Sequence, residues 1–168
     1  DDTVANLGEY DFTKFLRHYL LTQTNDKVQS RKIFGEFKKQ ISQLGPLGAV
    51  LNLNQVKAAS DHYSTLLGVT NHPDAQLCDS FERMNGYSDT HRVFLLGLLQ
   101  CGLDTQSMRL LTRAIEYLSF RWISAGWNAQ ELETLYQSLI RQLIGNPTAT
   151  TAVNIKNGRA FVCPVTPL

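Results

Sequence analysis

The chain has 168 residues, 43% of them apolar and 18% charged, with a formal net charge of +1. It is long enough for one domain that hides roughly 70% of its unfolded surface, and its charge content lies below the usual share of about 25%. That balance excludes a disordered polyelectrolyte and leaves no whole-molecule field to draw in nucleic acid or membrane, so either would need a local patch.

Residues 1–10 read as a lead-in, and Asp11 is placed to cap a first helix running to about Gln23. Phe12, Phe15, Leu16, Tyr19 and Leu20 recur at spacings of three and four, one apolar stripe. After Thr24-Asn25-Asp26, Ser30 is the cap expected for a second helix with Ile33, Phe34, Phe37, Ile41 and Leu44 inward. Gly45-Pro46 is expected to end it, with residues 46–52 a loop.

Asn52 or Asn54 then caps a third helix lined by Val56, Ala59, Tyr63, Leu66 and Leu67, with Gly68 as its left-handed terminator. Pro73 suits the first turn of a short helix using Leu77, Phe81 and Met84. Ser88 is expected to open a helix through Val93–Leu99, apolar on nearly every side and therefore central. Asp104 caps a long helix to about Ser124 with Met108, Leu111, Ile115, Leu118 and Trp122 inward. Asn128 and Glu131 resemble a capping box before the stripe Leu132, Leu135, Tyr136, Leu139, Leu143 and Ile144.

The fold class is therefore all-α, an orthogonal or irregular bundle of about seven helices over residues 1–146. Alternation around Asn157-Gly158 adds a short C-terminal β-hairpin in an extended tail, 147–168, that leads to a neighbouring domain. The start at Asp1-Asp2, without a signal peptide, suggests a piece of a larger cytoplasmic protein. No apolar run nears the roughly 18 residues needed to span a bilayer, and no membrane partner is expected.

Groups that carry chemistry are dispersed. Cys78, Cys101 and Cys163 form no metal spacing and read as inert thiols. His18, His62, His72 and His91 form no i, i+4 pair; Asp61-His62 diverge on a helix, as do Glu131 and Glu133, while Asp79 and Glu82 share a face without further company. There is no nucleophile elbow and no phosphate-cradling glycine loop, so no metal, cofactor or catalytic residue is assigned.

The most basic stretch is Lys27, Arg31, Lys32, Lys38 and Lys39, interrupted by Asp26 and Glu36. Its functional reading is contact with DNA phosphates, extended by Lys14, Arg17 and His18 where the first two helices pair. The plain alternative is a solvated helix face. Arg121, in the apolar context Ser119–Ile123, reads either as a half-buried structural anchor or as an arginine facing a neighbouring domain, and His18 is grouped with it as interdomain or structural.

Three segments carry a resemblance: Phe15-Leu16-Arg17-His18-Tyr19-Leu20 with Val28–Lys38; Ala59-Ser60-Asp61-His62-Tyr63; and Leu110–Trp127. In this order they resemble the helical region that follows the ParB/sulfiredoxin-like domain in GmrSD-type, modification-dependent restriction proteins, over roughly residues 12–145. Arg121-Trp122 stands where that family has paired arginines, and Leu20 where it often has an aromatic. The family's D-G-Q-Q-R-type motif and His-Asn-His nuclease signature do not occur in this sequence. The resemblance thus implies a non-catalytic connecting region. Its parent would be a nucleotide-dependent DNA endonuclease of phage defence, and its partners the neighbouring domains and DNA.

Two further readings compete. One is an independent helical adaptor, which predicts an exposed apolar patch. The other is a small enzyme with Asp61, His62 and Arg121 converging in a polar pocket.

Overall fold

The computed structural model describes residues 2–24 and 28–145, and the side chains of residues 2–11 and Ser30 fall outside that description. Within it the chain is all-α, with seven helices: α1 (Asp2–Gln23), α2 (Ile33–Ser42), α3 (Gly45–Leu66), α4 (Ala75–Asn85), α5 (Arg92–Gln100), α6 (Thr105–Ser124) and α7 (Ala129–Gly145). The expected hairpin, the tail from 147 and Cys163 lie outside the described residues.

α5 is the hub. Val93, Phe94, Leu95, Leu96 and Leu98 are all buried, because α1, α3, α6 and α7 pack around them. Gly97 sits where α5 meets α7, and a Cβ there would lie 2.2 Å from Cγ1 of Ile140, so only glycine permits this approach. Phe15, Leu16 and Tyr19 of α1, Tyr63 and Leu66 of α3, and Leu132, Tyr136 and Leu143 of α7 complete the core. α4 packs on α6 at the periphery, and α2 packs on α3.

Local chemistry explains the boundaries. Asp74 and Asp104 cap α4 and α6 by accepting from the N–H groups of Leu77 and Ser107. Gly45, Gly68, Gly102 and Gly126 all take positive φ between helices.

Four expectations are corrected. α1 begins at Asp2, so residues 2–10 are helical and Asp11 lies inside the helix; once nucleated, a helix extends at little cost. A 3-10 turn, Ser30–Lys32, precedes α2, whose N-cap is Lys32. Residues 46–52 belong to α3: Gly45 turns the chain with φ 66° and Pro46 starts a helix rather than stopping one. Ser88 makes its own turn, its Oγ accepting from the N–H of Thr90, and α5 starts only at Arg92.

Candidate functional site

The inward face of α1 carries polar groups that the core must satisfy. Arg17 donates from both terminal nitrogens to the two carboxylate oxygens of Glu133 on α7, each at 2.6 Å. The fork-on-fork geometry ties the first helix to the last. It holds the Arg17 proton more firmly than usual. Burial works to raise the Glu133 carboxyl, but the Arg17 hydrogen bonds and charge outweigh it and the net shift is downward. One turn earlier, Lys14 Nζ lies 3.0 Å from Asp89, ahead of α5.

His18 is sealed behind these pairs. Its Nδ1 lies 2.9 Å from the Tyr63 hydroxyl of α3. Burial pushes its pKa down to about 4, with Asp89 opposing and Arg17 assisting. His91 is also buried, and its Nδ1 has no hydrogen-bond partner among the described residues. Burial, the adjacent Arg92 and His18 push it down to about 3. Arg92 donates to the Asn85 side-chain oxygen from Nε and Nη2, and the Asn85 amide donates to the Leu66 carbonyl, so the ends of α3, α4 and α5 are laced together.

The second group of basic residues lies outside. Arg31 and Lys32 in the 3-10 turn, and Lys38 and Lys39 on α2, are exposed. They have no carboxylate partner among the described residues. Arg31 and Arg17 line one cleft of about 470 Å3 between α1, the 3-10 turn and α7, together with Val28, Gln130 and Glu133. Lys38 and Lys39 lie farther along, on α2, and do not line this cleft, whereas Lys14 and Arg17 are committed to ion pairs.

Arg121 departs from the half-buried position expected. It is exposed on α6, 5.3 Å from the centre of the Tyr117 ring, and donates to the Tyr117 hydroxyl. The apolar letters beside it belong to a helix face that leaves Phe120 and Ile123 open to solvent.

Sequence reasoning missed Glu133. It lies three residues before Tyr136 and seven before Ile140, inside the buried stripe of α7, and that register was the available signal. It also missed the clamps of α4 to α6. Arg83 pairs with Glu116 and Arg109 with Asp74, contacts between residues 33 and 35 positions apart that no local pattern announces.

Burial lowers the His62 pKa, with Asp61 opposing and His72 assisting. His72 accepts from the N–H of Asp74, and the Cys78 thiol donates to the His72 carbonyl. Burial pushes the Cys101 thiol up to about 11, a poor nucleophile. Among the described residues no three His, Cys, Asp or Glu side chains gather where a metal could sit, and no helix is long and apolar enough to cross a membrane. The chain matches no protein-family model, no curated protein and no solved structure.

Proposed function

We propose that this chain is a helical scaffold of a DNA-modification-dependent restriction protein of the GmrSD type. In this reading it couples a nucleotide-binding domain to a nuclease domain in cytoplasmic phage defence, and touches DNA along α2. The observation that carries the reading is a division of charged groups. The pairs Arg17–Glu133, Arg83–Glu116 and Arg109–Asp74 brace helix against helix or its cap, whereas Arg31, Lys32, Lys38 and Lys39 stand exposed without carboxylate partners among the described residues. A braced body moves as a unit and so passes rigid-body motion between its neighbours. An unpaired row of cations suits phosphate contacts that fix position without reading bases. The ordered motifs around Phe15–Leu20, Ala59–Tyr63 and Leu110–Trp127 support the assignment to that system.

Fluorescence anisotropy with a labelled duplex tests the DNA contact. Each neutralised phosphate contributes about −0.9 to the slope of log affinity against log salt, so four contacts give a slope of roughly −3 to −4. Changing Arg31, Lys38 and Lys39 together to glutamate is expected to abolish binding at 100 mM salt. Unchanged binding removes α2 from the reading. In the full-length protein, replacing this region by a flexible linker is expected to uncouple nucleotide binding from cleavage, and persistent coupling refutes the scaffold role.

One observation favours a second reading, an independent interaction module. Leu44, Leu47, Val50, Leu51 and Leu53 around the start of α3 are all exposed, Leu47 to 74%. Self-standing folding and partner binding, with no DNA affinity, would select it.

A further inference from the structure

α3 has two faces. Val56, Ala59, Ser60, Tyr63 and Ser64 are buried toward the bundle. On the other side Leu47, Leu51, Asn54 and Ala58 follow at spacings of four, three and four, the period of a coiled-coil seam, and all four are exposed. Val50 stands beside them, one turn from Leu47, and is also exposed. Leu44 folds over Gly48, where an added Cβ would lie 2.9 Å from the Leu44 Cβ. Gly48 neighbours Leu51 one turn on, so Leu44, Leu47, Val50 and Leu51 make one aliphatic patch.

Charge says what kind of partner fits. Residues 40–56 contain no Asp, Glu, Lys or Arg. A nucleic acid or a charged peptide finds no counter-charge on this stretch, whereas a second copy meets no like charge across it. Lys39 and Lys57 bound the stretch at its two ends, where salt screens them. The area is adequate as well. Exposures of 44–74% at the four residues leave on the order of 400 Å2 of aliphatic surface on one copy. Two copies, with Asn54 and Gln55 at the rim, then bury roughly the 1,000 Å2 at which a specific but weak pair begins.

We propose that α3 is the seam of a weak homodimer, in which the Leu47–Leu51 faces of two copies pack antiparallel about a twofold axis. Symmetry makes the contact self-matching: Leu47 packs on the partner's Leu51, and Leu51 on the partner's Leu47. Val50 then faces the partner's Leu44. The inference goes beyond the scaffold reading and uses none of the cations assigned to DNA. At low micromolar concentration the copies separate, and Leu47 is bare again.

Sedimentation velocity of the full chain, from about 2 to 200 μM, tests it. The sedimentation coefficient is expected to rise from that of one copy to that of two, as much in about 500 mM salt as in 50 mM. Leu47→Asp and Leu51→Lys should each weaken association at least about tenfold. Their equimolar mixture should recover part of it, because the new charges then face each other across the axis. Phe120→Ser, at an exposed aromatic of α6, should associate as the unaltered chain does. Circular dichroism checks each fold, and Leu47→Gln replaces Leu47→Asp where the latter unfolds.

A single copy at every concentration overturns the proposal. So does association lost in high salt, association retained by Leu47→Asp, a mixture no tighter than its components, or an equal loss in Phe120→Ser. Arg31→Glu/Lys38→Glu should dimerise normally while losing duplex DNA. Loss of the dimer with DNA binding retained sinks the seam alone; the reverse sinks the DNA contact alone.

Discussion

In α5, Val93, Phe94, Leu95, Leu96 and Leu98 are closed off from solvent, whereas Leu44, Leu47, Val50, Leu51 and Leu53 around the start of α3 stand open. The two stretches are similar in apolar content. They differ in what lies opposite. α5 meets α1, α3, α6 and α7, while the side chains at the start of α3 are left uncovered. Asn52 sharpens the contrast: it is buried, with its side-chain oxygen unpartnered among the described residues, between two exposed leucines. Hydrophobicity drives a side chain inward only where another surface waits to cover it.

The largest expected difference between the two regions comes from truncating one residue in each. Phe94, which packs near the Tyr136 ring, should cost about 3–5 kcal/mol on change to alanine. Urea unfolding of Phe94→Ala beside Leu47→Ala measures the gap, and similar losses at both would show that the start of α3 is covered. Next comes the closeness of α5 to α7. Gly97→Ala gains helix propensity, but its Cβ meets the stiff, fully buried Ile140, and the clash should win by about 3 kcal/mol. Pairing it with Ile140→Ala should recover part of that loss. A stable Gly97→Ala single variant would show that the two helices can part cheaply.

The third expectation concerns a polar group sealed inside. An unfolded histidine titrates near 6.5 and His18 in the fold near 4, so between those values the unfolded chain binds more protons. His18's stabilising contribution is therefore intact above about pH 6.5 and is lost progressively as pH falls towards 4. His91 continues the loss towards 3. From pH 7.5 to 5, His18 alone should remove about 2 kcal/mol. Asp89 and Glu133 act in the same direction but only below their ordinary range, so this window belongs to the histidines. In His18→Gln the drop should shrink by about half, and an undiminished drop would mean that His18 is solvated in the fold. The smallest effect is at Leu47: its change to alanine should move stability by about 0.5 kcal/mol or less.

Local pattern made much of the fold legible. Asp74 escaped notice, but Asp104 as a cap, Gly68 and Gly102 as terminators and the greasy centre of α5 follow from chemistry within a few residues. Pro46 shows the limit, since the same residue stops one helix or starts the next depending on the φ of the glycine before it. That the 3-10 turn and α2 carry exposed basic residues could be read from the spacing of Arg31, Lys32, Lys38 and Lys39. That Arg17 and Lys14 are drawn away into ion pairs could not, because Glu133 and Asp89 lie 116 and 75 positions along the chain. The half-buried reading of Arg121 fails for a related reason: a half-apolar neighbourhood in sequence is not a half-buried one in space.

The amino-acid sequence by itself determined that the described residues are helical, where most helices stop, and which residues form the stripes of α1, α5 and α7, because those outcomes depend on periodicity and on capping groups a turn away; the stripe expected on α2 fails, with Phe34 and Leu44 exposed. Tertiary structure alone decided which charges became braces and which stayed free, and which oily faces were covered. Each of those depends on what a distant helix places opposite, and the free energy of a charge or an aliphatic surface is set by that neighbour rather than by its own position in the chain.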